Sequence, residues 1–128
     1  MLLAWILSSA TYNCQHLGEV QRTNDILETL DATVIGLQST GLKVKKNDQS
    51  SYTQRNIGDT HIIDFRTDCK GYSNKSCGCS LCTKFHKKTI LKVYKPEEKI
   101  VGRAGAARYK CQSYDVCPIV VYYPPEDG

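Results

Sequence analysis

The stretch Asp31-Ala32-Thr33-Val34-Ile35-Gly36-Leu37-Gln38-Ser39-Thr40 decides how the chain folds. Its centre, Val34 to Gln38, is a short apolar run and reads as a buried strand. Just upstream, Val20, Thr23, Leu27 and Leu30 recur at helical spacing and form one apolar stripe. A helix is therefore expected from about Glu19 to Leu30, with Gly18 as its cap. Glu28 and Asp31 oppose the helix dipole near its end and mark the stop. Further upstream, Ile6 to Asn13 is rich in strand formers and small residues, and reads as a strand buried on both faces. Strand, helix and strand within about thirty residues make a βαβ unit, which predicts two parallel strands.

Downstream the character changes. From 43 to 58 the chain is polar, without apolar periodicity, and reads as a long loop. His61 to Phe65, Cys77 to Cys82, Thr89 to Tyr94, Ala106 to Cys111 and Val116 to Tyr123 then read as strands bounded by Gly, Asn, Asp, Pro or Lys clusters. With no helical pattern between them, they suggest an antiparallel continuation of the sheet. Pro118 belongs at a strand start or an edge. The fold class expected is α/β (α+β): a mixed sheet with few helices, in one domain spanning 1–128.

The chain has 128 residues, 41% hydrophobic and 23% charged, which fits a globular domain and excludes disordered and collagenous classes. The longest apolar run, Met1 to Leu7, falls far short of the roughly 20 residues of a membrane helix. No positive residue precedes it, which argues against a signal peptide. The expectation is a cytoplasmic or nuclear chain with no membrane partner. Net charge is +4, but Lys43 to Lys110 holds sixteen Lys/Arg against six Asp/Glu. Such a surface suits nucleic acid, and equally a solvated face. Seven cysteines, an odd count spread over strands, argue against a disulfide framework.

Four segments carry a resemblance. Thr11-Tyr12-Asn13-Cys14-Gln15-His16-Leu17 is a strand ending in an aromatic and an Asn, with a Leu following. Asp31 to Thr40 is similar to a D-I-I-G-L-Q-E-T type run. Gly102-Arg103-Ala104-Gly105-Ala106-Ala107 resembles a glycine-rich lead-in to a central strand. Val120-Val121-Tyr122-Tyr123-Pro124-Pro125 resembles a strand end of the Y-x-P type. In this order they resemble the opening half of the endonuclease/exonuclease/phosphatase (DNase I-like) superfamily. They are closest in flavour to the endonuclease domains of non-LTR retrotransposons, where an acidic residue follows the Tyr-x-Pro as Glu126 and Asp127 do here. The resemblance implies a truncated portion of a four-layer α/β sandwich, two stacked sheets with helices outside. One sheet face would then lie bare, inviting self-association or a partner.

Members of that superfamily hydrolyse phosphodiesters with a divalent metal, commonly Mg²⁺. The metal neutralises the phosphate and stabilises the leaving oxygen. The resemblance assigns Asn13 and Tyr122 to phosphate positioning. It assigns the metal-binding Glu to a position that here holds Ser39, and a neutral hydroxyl is a poor sole anchor for Mg²⁺. The Asp-x-Asn and Asp-His motifs that activate water do not occur in the 128 residues, and His16, His61 and His86 lack the family's His context. The expectation is an incomplete site, catalytically inactive and without a cofactor.

Two other readings stand beside this one. Cys77-Gly78-Cys79-Ser80-Leu81-Cys82, with Cys69 before it and His86 after it, could supply four ligands to Zn²⁺ in a small binding module. Against this, on an extended strand Cys79 and Cys82 point to opposite faces and cannot share an ion. The third reading is a non-catalytic nucleic-acid-binding fragment that uses the basic stretch.

Overall fold

A computed structural model describes residues 8–14, 17, 20–42, 52–65, 78–85, 88–94, 103–112 and 114–122. It begins with the βαβ unit: strand β1 (Ser9–Asn13), helix α1 (Val20–Thr29) and strand β2 (Val34–Gln38). β1 and β2 pair in parallel, Ser9 opposite Val34 through to Asn13 opposite Gln38. The helix covers the sheet with Thr23, Ile26 and Leu27, which are buried, and Leu30, which packs at the margin. Its last turn contains no basic residue. Lys84, at the end of a distant strand, compensates by donating to the Leu27 carbonyl at 3.4 Å, placing a cation at the negative end of the dipole.

Four more strands complete the picture of the first sheet and begin the second: β3 (Tyr52–Ile57), β4 (Thr60–Phe65), β5 (Cys79–Thr83) and β6 (Thr89–Tyr94). The first sheet has the order β1-β2-β5-β4-β3, and every pairing after β1–β2 is antiparallel. β3 and β4 form a hairpin in which Ile57 faces Thr60 across Gly58-Asp59, and Gly58 takes the positive φ of 57° that so short a turn demands. The second sheet joins β6 to β7 (Ala104–Lys110), which in turn pairs with β8 (Asp115–Val116) and β9 (Ile119–Val121), all antiparallel. Its middle strand is the glycine-containing β7.

Side-chain alternation sorts the core into two layers. Toward α1 lie Cys14, Leu17, Ile35, Leu37, Ile62 and Cys82. Toward the second sheet lie Ile63, Phe65, Cys79 and Leu81, which meet Ala107, Tyr109 and Val120. The described residues thus form three layers, helix on sheet on sheet, a mostly β arrangement of α+β class. The two sheets approach most closely where side chains are missing. A Cβ on Gly36 would lie 3.1 Å from Val120, and one on Gly105 would fall within the Phe65 ring.

Several expectations need correction. The expected loop over 43–58 contains a strand, Tyr52–Ile57; residues 43–51 lie outside the described residues. β3 is polar because it is an edge strand, paired only with β4 among the described residues. β1 is not buried on both faces. It too lies at an edge, with Tyr12 and Asn13 exposed. The expected strand from Val116 to Tyr123 is broken at Pro118 into β8 and β9, since proline cannot donate to the ladder. Ile6, Leu7 and the cap Gly18 lie outside the described residues. No helix among the described residues is long and apolar enough to cross a membrane.

Candidate functional site

Asn13, Ser39 and Tyr122 come to the same end of the sandwich. Asn13 closes β1 opposite Gln38, the last residue of β2, and the Cys14 amide extends the ladder to the Gln38 carbonyl at 2.8 Å. The Gln38 side chain reaches across to the second sheet and donates to the Val121 carbonyl at 3.4 Å. Tyr122 follows directly, buried, with its amide on the Arg103 carbonyl at 2.6 Å. Ser39 comes next after Gln38, buried, in a left-handed conformation with φ 56°. Three strand ends from two sheets therefore converge on one rim.

Four described side chains meet at this rim, beside the cation Arg103. Asn13, Gln38, Ser39 and Tyr122 offer amides and hydroxyls. Behind Ser39 the buried Thr40 hydroxyl has no hydrogen-bond partner among the described residues. It lies 2.5 Å from where a Cβ on Gly78 would be, and Gly78 has φ 96°. Asp64, a buried carboxylate of the same sheet, is already engaged. Arg55 donates to it at 2.8 and 3.3 Å, and the Ser80 hydroxyl at 2.6 Å. Mg²⁺ prefers carboxylate oxygen, and none of Asn13, Gln38, Ser39 and Tyr122 supplies one.

The cysteine cluster divides. Cys79 packs between the sheets and Cys82 against the helix layer, on opposite faces of β5, so the two cannot share one zinc ion. Burial pushes both thiols up to about 12, and Cys14 up to about 11. They are buried hydrophobes with little thiolate. Cys69, Cys77 and His86 lie outside the described residues.

At the opposite end of the inter-sheet space is a polar network that sequence reading did not single out. His61, 5% exposed, bonds through Nδ1 to the Tyr109 hydroxyl at 3.1 Å and through Nε2 to Gln54 Oε1 at 3.0 Å. Because Gln54 presents an acceptor, Nε2 carries the proton and Nδ1 accepts from Tyr109. Tyr109 is hydrogen-bonded by Thr83. Lys88 donates to the Thr83 carbonyl at 2.8 Å and to its hydroxyl at 3.4 Å. Burial, then the nearby Lys88 charge, pushes the imidazole below its usual value of 6.5, so it is held neutral. The one hint in the sequence was polar residues within otherwise apolar runs, His61 and Asp64 in Thr60–Phe65.

A cavity of about 270 Å³ lies between α1 and β1, lined by Tyr12, Arg22, Asp25, Ile26, Thr29 and Leu30. Its charged groups are already engaged: Arg22 donates to the Cys14 carbonyl at 2.7 Å, and Asp25 accepts from Gln21 at 2.8 Å. Comparison of the chain with known protein families and with curated proteins finds no match to either.

Proposed function

We propose that this chain is the opening portion of a DNase I-like domain, of the retrotransposon-endonuclease kind, and that the 128-residue chain does not itself cleave phosphodiesters. The observation that carries the reading is the convergence of Asn13, Ser39 and Tyr122. These residues are distant in sequence, were singled out by family motifs alone, and share one rim of a helix–sheet–sheet stack. The βαβ start and the packing of a glycine-bearing strand against it support the same reading. The loss of cleavage rests on Ser39, a hydroxyl where the family has a carboxylate.

The test is a Mg²⁺-dependent cleavage assay on plasmid and single-stranded DNA. No turnover above background is expected. Robust cleavage that disappears in Asn13→Ala would overturn the inactive reading. Ser39→Glu is expected to add weak Mg²⁺ binding without cleavage, since no general base stands at the rim among the described residues. A second reading, non-catalytic nucleic-acid binding, draws on the sixteen basic against six acidic residues between Lys43 and Lys110. It requires weak, sequence-independent binding that falls steeply with salt; salt-insensitive binding would exclude it.

A further inference from the structure

The hydrogen bonds at the His61 end of the inter-sheet space all run in one direction. Lys88 donates to the Thr83 hydroxyl at 3.4 Å, and Thr83 donates to the Tyr109 hydroxyl. Tyr109 donates to His61 Nδ1 at 3.1 Å, and His61 Nε2 donates to Gln54 Oε1 at 3.0 Å. An ammonium has donors and no acceptor, so the chain cannot reverse. It also crosses between the sheets. Gln54, His61 and Thr83 stand on β3, β4 and β5 of the first, and Tyr109 stands on β7 of the second. The second sheet is held elsewhere too, by Gly105 against the Phe65 ring and by the Gln38 bond to the Val121 carbonyl. Tyr109 lies about 13 Å further along β7 than Gly105.

One more proton breaks this order. Gained at Nδ1 from an acid medium, it turns the ring into an imidazolium with two donors and no acceptor. The new N–H then meets the Tyr109 O–H head on. Tyr109 cannot pass its proton back, because Thr83 already donates to it and Lys88 to Thr83. The surroundings do not compensate. Burial and the Lys88 cation both disfavour the charged ring, and no carboxylate acts on it among the described residues. Asp59, in the β3–β4 turn, and Cys111, after β7, act on Lys88 instead.

We propose that this chain is an acid-released latch: a proton on His61 frees Tyr109, and the Tyr109 end of β7 parts from the first sheet while the βαβ unit stays folded. Opening separates the Tyr109 and Phe85 rings, which meet edge to face at 5.4 Å. It spares the layer under α1, because Tyr109 packs only in the layer between the sheets. The inference does not rest on the family reading.

The test uses the full chain. Imidazole ¹⁵N shifts at pH 7.5 should show the proton of His61 on Nε2, and its titration midpoint should lie below 6.5. Amide exchange, corrected for its intrinsic pH dependence, is then compared at pH 7.5 and pH 5. Arg108 to Lys110 and their β6 and β8 partners should lose protection several-fold. The ordinary value of 6.5 in the open state bounds that loss at about thirtyfold. Amides of β1 and β2 should hold theirs. His61→Gln should remove the difference between the two pH values. Lys88→Gln, which takes away the cation and supplies an acceptor, should raise the His61 midpoint and shrink the loss at pH 5. Melts at pH 8 check that both variants fold, and the tautomer, midpoint and exchange of the unmodified chain answer without them. A proton on Nδ1 at pH 7.5, a midpoint at or above 6.5, or equal loss of protection in both sheets would each overturn the latch. So would a His61 midpoint that Lys88→Gln leaves in place.

Discussion

The two ends of the inter-sheet space are built from opposite kinds of residue. At one rim the amides and hydroxyls of Asn13, Gln38, Ser39 and Tyr122 meet, and a Thr40 hydroxyl is buried with no partner among the described residues. At the other, Gln54, His61, Tyr109, Thr83 and Lys88 form a continuous hydrogen-bonded chain that ties β3, β4, β5 and β7 together. The rim whose residues resemble a phosphodiesterase site has short polar side chains and a serine in the left-handed conformation. The end with no family resemblance holds the satisfied, titratable network. Ionisable groups are placed here where they lock strands together.

The sharpest break of this contrast lies at the packing between the ends. Gly105→Ala should destabilise the chain by about 3 kcal/mol or more, because its methyl group meets the buried Phe65 ring and both sheets must shift. Urea unfolding measures the loss, and Phe65→Leu in the same chain should recover part of it. Next in size is Asp64→Ala, which strands Arg55 and the Ser80 hydroxyl. Because Arg55 is 30% exposed, water softens the loss, and a cost of about 2–3 kcal/mol is expected, short of the value for a fully buried pair.

The His61 network should make stability depend on acidity. Its imidazole value is lowered in the folded chain, so below about pH 6.5 the unfolded state takes up a proton that the folded state refuses. Stability should be full above pH 6.5 and fall as the pH drops through that value, levelling off only below the folded-state value. Melts from pH 8 to pH 5 test this. His61→Gln should flatten that limb, and an unchanged limb in the variant would falsify the assignment. The smallest effect belongs to the rim of Asn13, Ser39 and Tyr122. Ser39→Gly should raise stability by about 0.5–1 kcal/mol, since glycine adopts the left-handed conformation without the Cβ penalty. A loss there would show that the serine side chain contributes more than its backbone costs.

Much of the fold was legible because it obeys simple periodicities. The α1 stripe and the Val34–Gln38 run predicted a parallel βαβ unit, and the pairing of Ser9–Asn13 with Val34–Gln38 follows it. What stayed hidden was position within the sheet. Tyr52–Ile57 has a polar composition because β3 needs only one buried neighbour, and its best signal was Gly58-Asp59, a two-residue hairpin turn. β1 looked fully buried because small residues suit both a core strand and an edge. At the candidate site, motifs singled out Asn13, Ser39 and Tyr122, but their common location required the Gln38 bridge to Val121. The His61–Tyr109 bond joins residues 48 positions apart, and no local pattern reports such a pairing.

Strand β5 lies between β2 and β4 in space although it follows both in sequence. The βαβ unit and the β3–β4 hairpin can each form from neighbouring residues, but neither contacts the other through a ladder until β5 arrives. Continuity of the first sheet is therefore a separate closure that spans more of the chain than either unit. Before it, β2 and β4 each display an open ladder edge, and the amides on both sides of β5 should gain hydrogen-exchange protection in one step. The same delay leaves the Cys79 and Cys82 thiols, inert once enclosed, in contact with solvent while the chain is still assembling. The strand that makes the sheet whole thus also carries two thiols that are open to oxidation only while the chain is immature.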